Sequence, residues 1–382
     1  MTALTARKLA IFAPAAFWLL SASAAFGQAA SPEADKGAVK PTVDDEKLPA
    51  YHHSIFSWEH SVTTQTVGVG DSPQSSNPTY TMGFVAKPLY YLVDDKPKGE
   101  HFALLLEGGL YREFTNSDVT TRRGEWDFSD TYLACAYTRR FQGPSNTDGT
   151  LFSIRPLTLT VPTSKISYRS GRYFAPGAAV AVTNVTPWFR GRGGPQISSL
   201  VRLGVGYKRS FARATVPTNP SLDRERLDTI DGHSFASDEL SGASLVRDQL
   251  EFAARLRLAF GEDVYWTTDA GISPAWKYHL QNQQSVCGVI LTGCVPVQGS
   301  PNDSRYLVIT AFNTELSVRI AKGFSIELGY GNVANQLGLD GRRRSFFYSP
   351  GATFYASVSF FPHELVTGSK QLAQNGAATP NL

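Results

Sequence analysis

Beyond its N-terminus the chain has no apolar run long enough to cross a membrane as a helix. That excludes a helical membrane protein and leaves a strand-built one open, because a barrel hides its membrane face by alternation. Sulfur is scarce, with three cysteines and two methionines in 382 residues. Cys287 and Cys294 sit close together in a polar stretch and Cys135 stands apart, which reads as one local Cys287–Cys294 disulfide formed in an oxidising compartment. A metal centre needs more ligands at tighter spacing, so no metal is expected. Charge is sparse and nearly balanced, 18% of residues with a formal net charge of +3, so nucleic acid is not an expected partner. The Gly191–Gly194 stretch lacks the Lys-Ser/Thr of a phosphate loop. His60-Ser61 and His233-Ser234 are sequence neighbours, but neighbours on a strand point to opposite faces, and no hydrolase motif surrounds them. No catalytic residue and no cofactor is therefore expected.

What the chain does have is alternation. Residues 1–27 carry Arg7 and Lys8, an apolar middle and small residues before Gln28, the layout of a secretory signal peptide. Residues 28–50 are rich in Pro, Asp and Lys without periodicity and read as a disordered leader, and 362–382 as a disordered tail. Between them, 51–361 repeats a period of two. Val201, Leu203, Val205 and Tyr207 alternate with Arg202, Gly204, Gly206 and Lys208. Leu250, Phe252, Ala254, Leu256 and Leu258 alternate with Glu251, Arg255 and Arg257. The longest alternation is SFFYSPGATFYASVSFF, residues 345–361, read as one long strand. The phase changes near Pro156, which predicts a bulge.

The count is about twelve strands, an even number. Tight turns such as Gly261-Glu262-Asp263 and Ala321-Lys322-Gly323 alternate with long polar loops. Trp266 and Trp276, ten residues apart on one face, lie ~33 Å apart along a strand, or ~25 Å once tilted, the height of a membrane barrel's apolar band. In these features the chain resembles a Gram-negative outer-membrane β-barrel protein, porin-like. The resemblance implies an all-β, transmembrane, antiparallel up-and-down barrel in the cell outer membrane. Its partners would be outer-membrane lipids and lipopolysaccharide, the barrel insertion machinery and small-molecule solutes. In such proteins the last strand is read by that machinery, and Phe354, Ala356, Val358 and Phe360 resemble the signal.

Alternation then sorts the charges. Glu107, Glu113, Arg202, Lys208, Arg247, Glu251, Arg255, Arg257, Asp269, Lys277, Arg305, Glu315, Arg319 and Glu327 are expected inside, as pore-lining residues. Trp266, Trp276, Tyr278, Phe346, Tyr348 and Phe360 are expected in the membrane girdle. An arginine facing lipid at mid-membrane costs ~2–4 kcal/mol, so Arg255 and Arg257 are placed inward, where they favour anions if water fills the lumen. The favoured function is passive passage of small solutes. A structural or adhesive barrel with a plugged lumen is the alternative, and a barrel-embedded lipid hydrolase a third.

Overall fold

A computed structural model describes residues 49–64, 79–95, 98–115, 124–142, 149–189, 197–213, 215, 227–230, 233–236, 244–261, 263–279, 285–287, 294–296, 305–336, 343–349 and 351–366. The expected signal peptide, nearly all of the expected leader and the tail beyond 366 lie outside them. Twelve antiparallel staves form a closed barrel. They are β1 (Ile55–Thr63), β2 (Tyr80–Lys87 continued by Leu89–Asp95), β3 (Glu100–Glu113) and β4 (Trp126–Phe128 continued by Thr131–Gln142). Next come β5 (Gly149–Val161), β6 (Arg172–Phe189), β7 (Ile197–Arg209 with Phe211–Ala212) and β8 (Val246–Phe260). The last four are β9 (Val264–Lys277), β10 (Tyr306–Ala321), β11 (Phe324–Asn335) and β12 (Thr353–Phe360). Each stave pairs with its sequence neighbours. β1 closes the ring on β12, with Phe56 opposite Phe360 and Val62 opposite Phe354. Closure leaves no open edge, the arrangement that satisfies strand backbone within a bilayer.

The period-two pattern decides which face meets which medium. Leu203 is 61% exposed, Leu328 55% and Phe84 50%, all on the outer face. A soluble sheet would not leave so continuous an apolar surface uncovered. Two aromatic belts bound this surface. At the short-turn end Phe56 stacks on Phe360 with centroids 5.1 Å apart, and Phe324 lies 6.4 Å from Phe360. At the long-loop end the pairs are Trp276–Tyr306, Tyr330–Phe354 and Phe174–Phe211. Trp266 and Trp276 both face outward, one in each belt.

Irregularities fall where backbone chemistry demands them. The register of β5 against β6 slips between Arg155 and Thr158, the bulge expected around Pro156, which has no N–H to give. The segment 345–361 departs from its expected single strand, because only Thr353–Phe360 pairs. Before it the chain bends. Asn332 Nδ2 donates to the Phe346 carbonyl at 3.0 Å, and the Ser349 hydroxyl donates to Asn332 Oδ1 at 2.6 Å. Side chains thus take hydrogen bonds that a ladder would have taken. Phe346 and Tyr348 therefore belong to a loop, where Phe346 and Phe347 pack on Phe312.

Both ends of the barrel chain meet at the short-turn end. Tyr91 N–H donates to the Ala50 carbonyl at 2.7 Å, and the His52 ring stacks on Tyr91 at 3.9 Å. Past β12, residues 362–366 form a helical turn. Its Glu364 accepts from Gly323 N–H at 2.9 Å and from Arg319 at 3.4 Å. Gly323 turns with φ +79°, and Leu365 packs where a Cβ would sit. The long-loop end carries a short helix, α1 (Lys165–Arg169), and two hairpins, Leu227–Ile230 with His233–Ala236 and Ser285–Cys287 with Cys294–Pro296.

Candidate functional site: the barrel lumen

Inward-facing residues of neighbouring staves are aligned by register. One row runs Thr183, Arg202, Arg255, Asp269, Asn313 across β6 to β10. The next row towards the long-loop end runs Ala181, Gly204, Ala253, Gly271, Ala311. A ledge of side chains therefore lies below a band where there are almost none.

The charges are sorted by wall. Arg155 stands on β5, Arg202 and Lys208 on β7, Arg255 and Arg257 on β8. Glu59 stands on β1, Glu107 and Glu113 on β3, Glu315 on β10 and Glu327 on β11. In a ring of twelve these two sets face each other across the lumen. Each wall keeps a minority of counter-charges. Arg255 grips Asp269 with a bidentate fork, Nε to Oδ1 at 2.6 Å and Nη2 to Oδ2 at 2.8 Å. Lys208 pairs with Glu251 at 2.8 Å and Lys87 with Glu107 at 3.3 Å. Arg257 lies 4.1 Å over the Tyr265 ring, a cation–π contact. On β10 and β11, hydroxyls rather than cations hold the carboxylates. Tyr355 donates to Glu315 at 2.9 Å, and Ser357 and Ser359 donate to Glu327 at 2.6 and 3.2 Å. Among the described residues, neither Glu59 nor Arg202 takes part in a hydrogen bond or ion pair through its charged group.

Other residues expected inside stand at the rims. Arg247 donates to Asp248 at 2.6 Å beside the long loops, where Lys277 ends β9. Arg305 precedes β10 and reaches His279 at 3.2 Å. Glu113, at the same end, is 2% exposed and accepts from Thr115 at 2.5 Å. Arg319 sits at the short-turn mouth against Glu364. Tyr278, expected in the girdle, donates to the Ser210 carbonyl at 2.5 Å. Sequence reading missed Glu59, Lys87, Arg155 and the tyrosines Tyr111, Tyr132 and Tyr355. Strands β1 and β2 show a shorter alternation, and a tyrosine fits either face of a membrane wall. The glycines opposite Tyr111 and Tyr355 were the available signal: a Cβ on Gly83 or Gly329 would overlap the facing ring.

His60 bonds the Tyr80 hydroxyl at 2.8 Å, whereas Ser61 bonds Thr81 at 2.6 Å on the other face. The two neighbours form no catalytic pair. Cys287 and Cys294 are directly opposed in their hairpin's backbone register.

No family model and no curated protein matches the sequence. Solved structures share the barrel shape at low identity. An outer membrane channel from Pseudomonas putida F1 is 11% identical with a TM-score of 0.43, over 85% of this chain and 100% of that one. The KdgM porin is 7% identical with a TM-score of 0.30, over 80% and 98%. The translocator domain of the autotransporter NalP from Neisseria meningitidis is 8% identical with a TM-score of 0.29, over 83% and 90%.

Proposed function

We propose that this barrel sits in the outer membrane of a Gram-negative cell and lets small solutes cross passively through its lumen. The observation that carries the reading is the state of the inward charges. Glu59 and Arg202 make no direct hydrogen bond or ion pair among the described residues, with Lys87 and Asp269 acting on them only through space, and Glu315 and Glu327 are held by hydroxyls. In a dry, plugged interior each unpaired charge costs several kcal/mol, and selection would leave pairs or apolar residues instead. Water in the lumen removes that cost. The apolar outer band with aromatic edges supports membrane insertion, and the long-short alternation of connections supports an orientation with the short-turn end towards the periplasm.

The charged walls then act on whatever passes. Opposed basic and acidic walls set up a field across the lumen, which aligns polar solutes and slows those whose dipole does not fit. The experiment is a single-channel record. Purified protein in planar bilayers is expected to give discrete conductance steps in KCl. Protein that inserts, shown by heat-dependent gel mobility, yet conducts no more than the bare membrane would leave the plugged surface barrel in its place.

A further inference from the structure

The lumen wall holds a recess with a guanidinium at its edge. Gly204, Ala253, Gly271 and Ala311 lie side by side across four staves, a span of ~14 Å. Because none carries more than a methyl group, the wall is hollowed there, and the hollow is bordered by Arg202, Glu251, Arg255, Asp269, Ser273 and Asn313. Arg202 and Arg255 are direct cross-strand partners, and like charges so placed repel. Asp269 is hydrogen-bonded by Arg255 alone and reaches Arg202 only through space, with no ion-pair contact. Arg202 is 8% exposed, and no described carboxylate or carbonyl meets its guanidinium. Lumen water hydrates this guanidinium in the empty channel, and an anion that displaces the water also offsets the repulsion between the two arginines. The fork geometry of guanidinium selects a planar or tetrahedral oxyanion. The floor next to it selects the rest, since the Gly204–Ala311 row itself offers only hydrogen and methyl groups, with Glu251 and Ser273 beyond it towards the long-loop end.

We infer that this recess is a binding site for a small organic acid, its carboxylate on Arg202 and its carbon skeleton over the Gly204–Ala311 row. The inference rests on the channel reading for its purpose but not for its chemistry, so the two are tested apart. Binding is measured by titration calorimetry on the full-length mature protein in detergent micelles, with benzoate and with inorganic phosphate as probes. Wild type is expected to bind benzoate saturably and more tightly than phosphate. Arg202→Gln should weaken benzoate binding about tenfold or more, the loss of a charge-assisted contact. Gly271→Val should also weaken benzoate about tenfold, by filling the floor, while leaving phosphate binding as it was. A Cβ at Gly271 meets only ordinary contacts, 3.5 Å to the Phe252 carbonyl and 3.6 Å to Ala311 Cβ, and valine suits a strand, so this variant keeps the wall intact. Retained heat-dependent mobility checks that both variants fold. Benzoate that fails to bind wild type, or binds both variants as wild type, overturns the site. Phosphate binding equal to benzoate and indifference to Gly271→Val overturns the organic skeleton. Conductance without binding refutes this inference alone, and binding without conductance refutes the channel alone.

Discussion

Tyr355 lies flat over Gly329, its register partner on β11, with its hydroxyl on Asn313 at 3.0 Å and Glu315 at 2.9 Å. The glycine is what lets a large ring lie along the wall instead of crossing the lumen. A Cβ there would overlap the ring directly. Gly329→Ala is expected to destabilise the barrel by ~1–3 kcal/mol, the cost of overpacking, read as a lower temperature for the folded-to-unfolded gel shift. Combined with Tyr355→Ala, the glycine change should cost much less, and additive losses would show that the ring is not the cause. The same logic links Gly83 to Tyr111 on the other side of the β1–β12 seam.

At the scale of elements, the seam is held by a turn before β1 and a turn after β12, and histidine joins them. His53 N–H donates to His363 Nδ1 at 3.3 Å, and His53 Nδ1 shares a hydrogen bond with the Tyr91 hydroxyl at 3.0 Å. His101 Nδ1 lies 2.6 Å and His52 Nε2 3.8 Å from Asp94. Burial, then the neighbouring His52 and His363, lower the His53 pKa from 6.5 to about 3, with Asp94 pulling weakly the other way and His101 adding to the depression. An unfolded chain protonates this histidine below pH 6.5 and the folded one does not. Its stabilising contribution is therefore complete above that pH and is lost as pH falls towards 3. Unfolding midpoints measured down this window should drop for wild type and drop less for His53→Asn, a residue that tolerates the φ of +64° found there. Equal slopes would remove His53 from the effect. The second element is the hairpin that opposes Cys287 to Cys294. A disulfide is expected between them, closing a short loop and adding at most ~2–3 kcal/mol. Peptide mapping of exported protein that finds both thiols free would refute it.

For the whole molecule, closure turns separate strands into two facing walls. In the proposed channel, selectivity would depend on the balance of the walls and not on any single row. The Arg255 charge, answered by Asp269, contributes less to anion attraction than its position alone suggests. Replacing Glu315 and Glu327 together by Gln strips charge from the acidic wall only. Reversal potential in a KCl gradient should move towards anion selectivity, and the shift should shrink as salt rises. An unchanged reversal potential in a conducting variant would mean that ions do not pass close to that wall.

Much of this was legible in the chain itself. Strict alternation in β7 to β11 fixed which face met the membrane, because a period of two admits one assignment once arginines cannot face lipid. Short turns and even spacing set the number of staves for the same reason. Where alternation continued past its strand, as before Thr353, sequence misled: the pattern records side-chain order, and only Asn332 and Ser349, brought near by folding, decide that the backbone bends there. Tertiary structure alone decided the rest. Pairing of Arg255 with Asp269, isolation of Arg202, the hollow above them and the opposition of basic to acidic walls are cross-strand facts. They are set by register and by the order of staves round a closed ring. The sequence of any one strand holds neither.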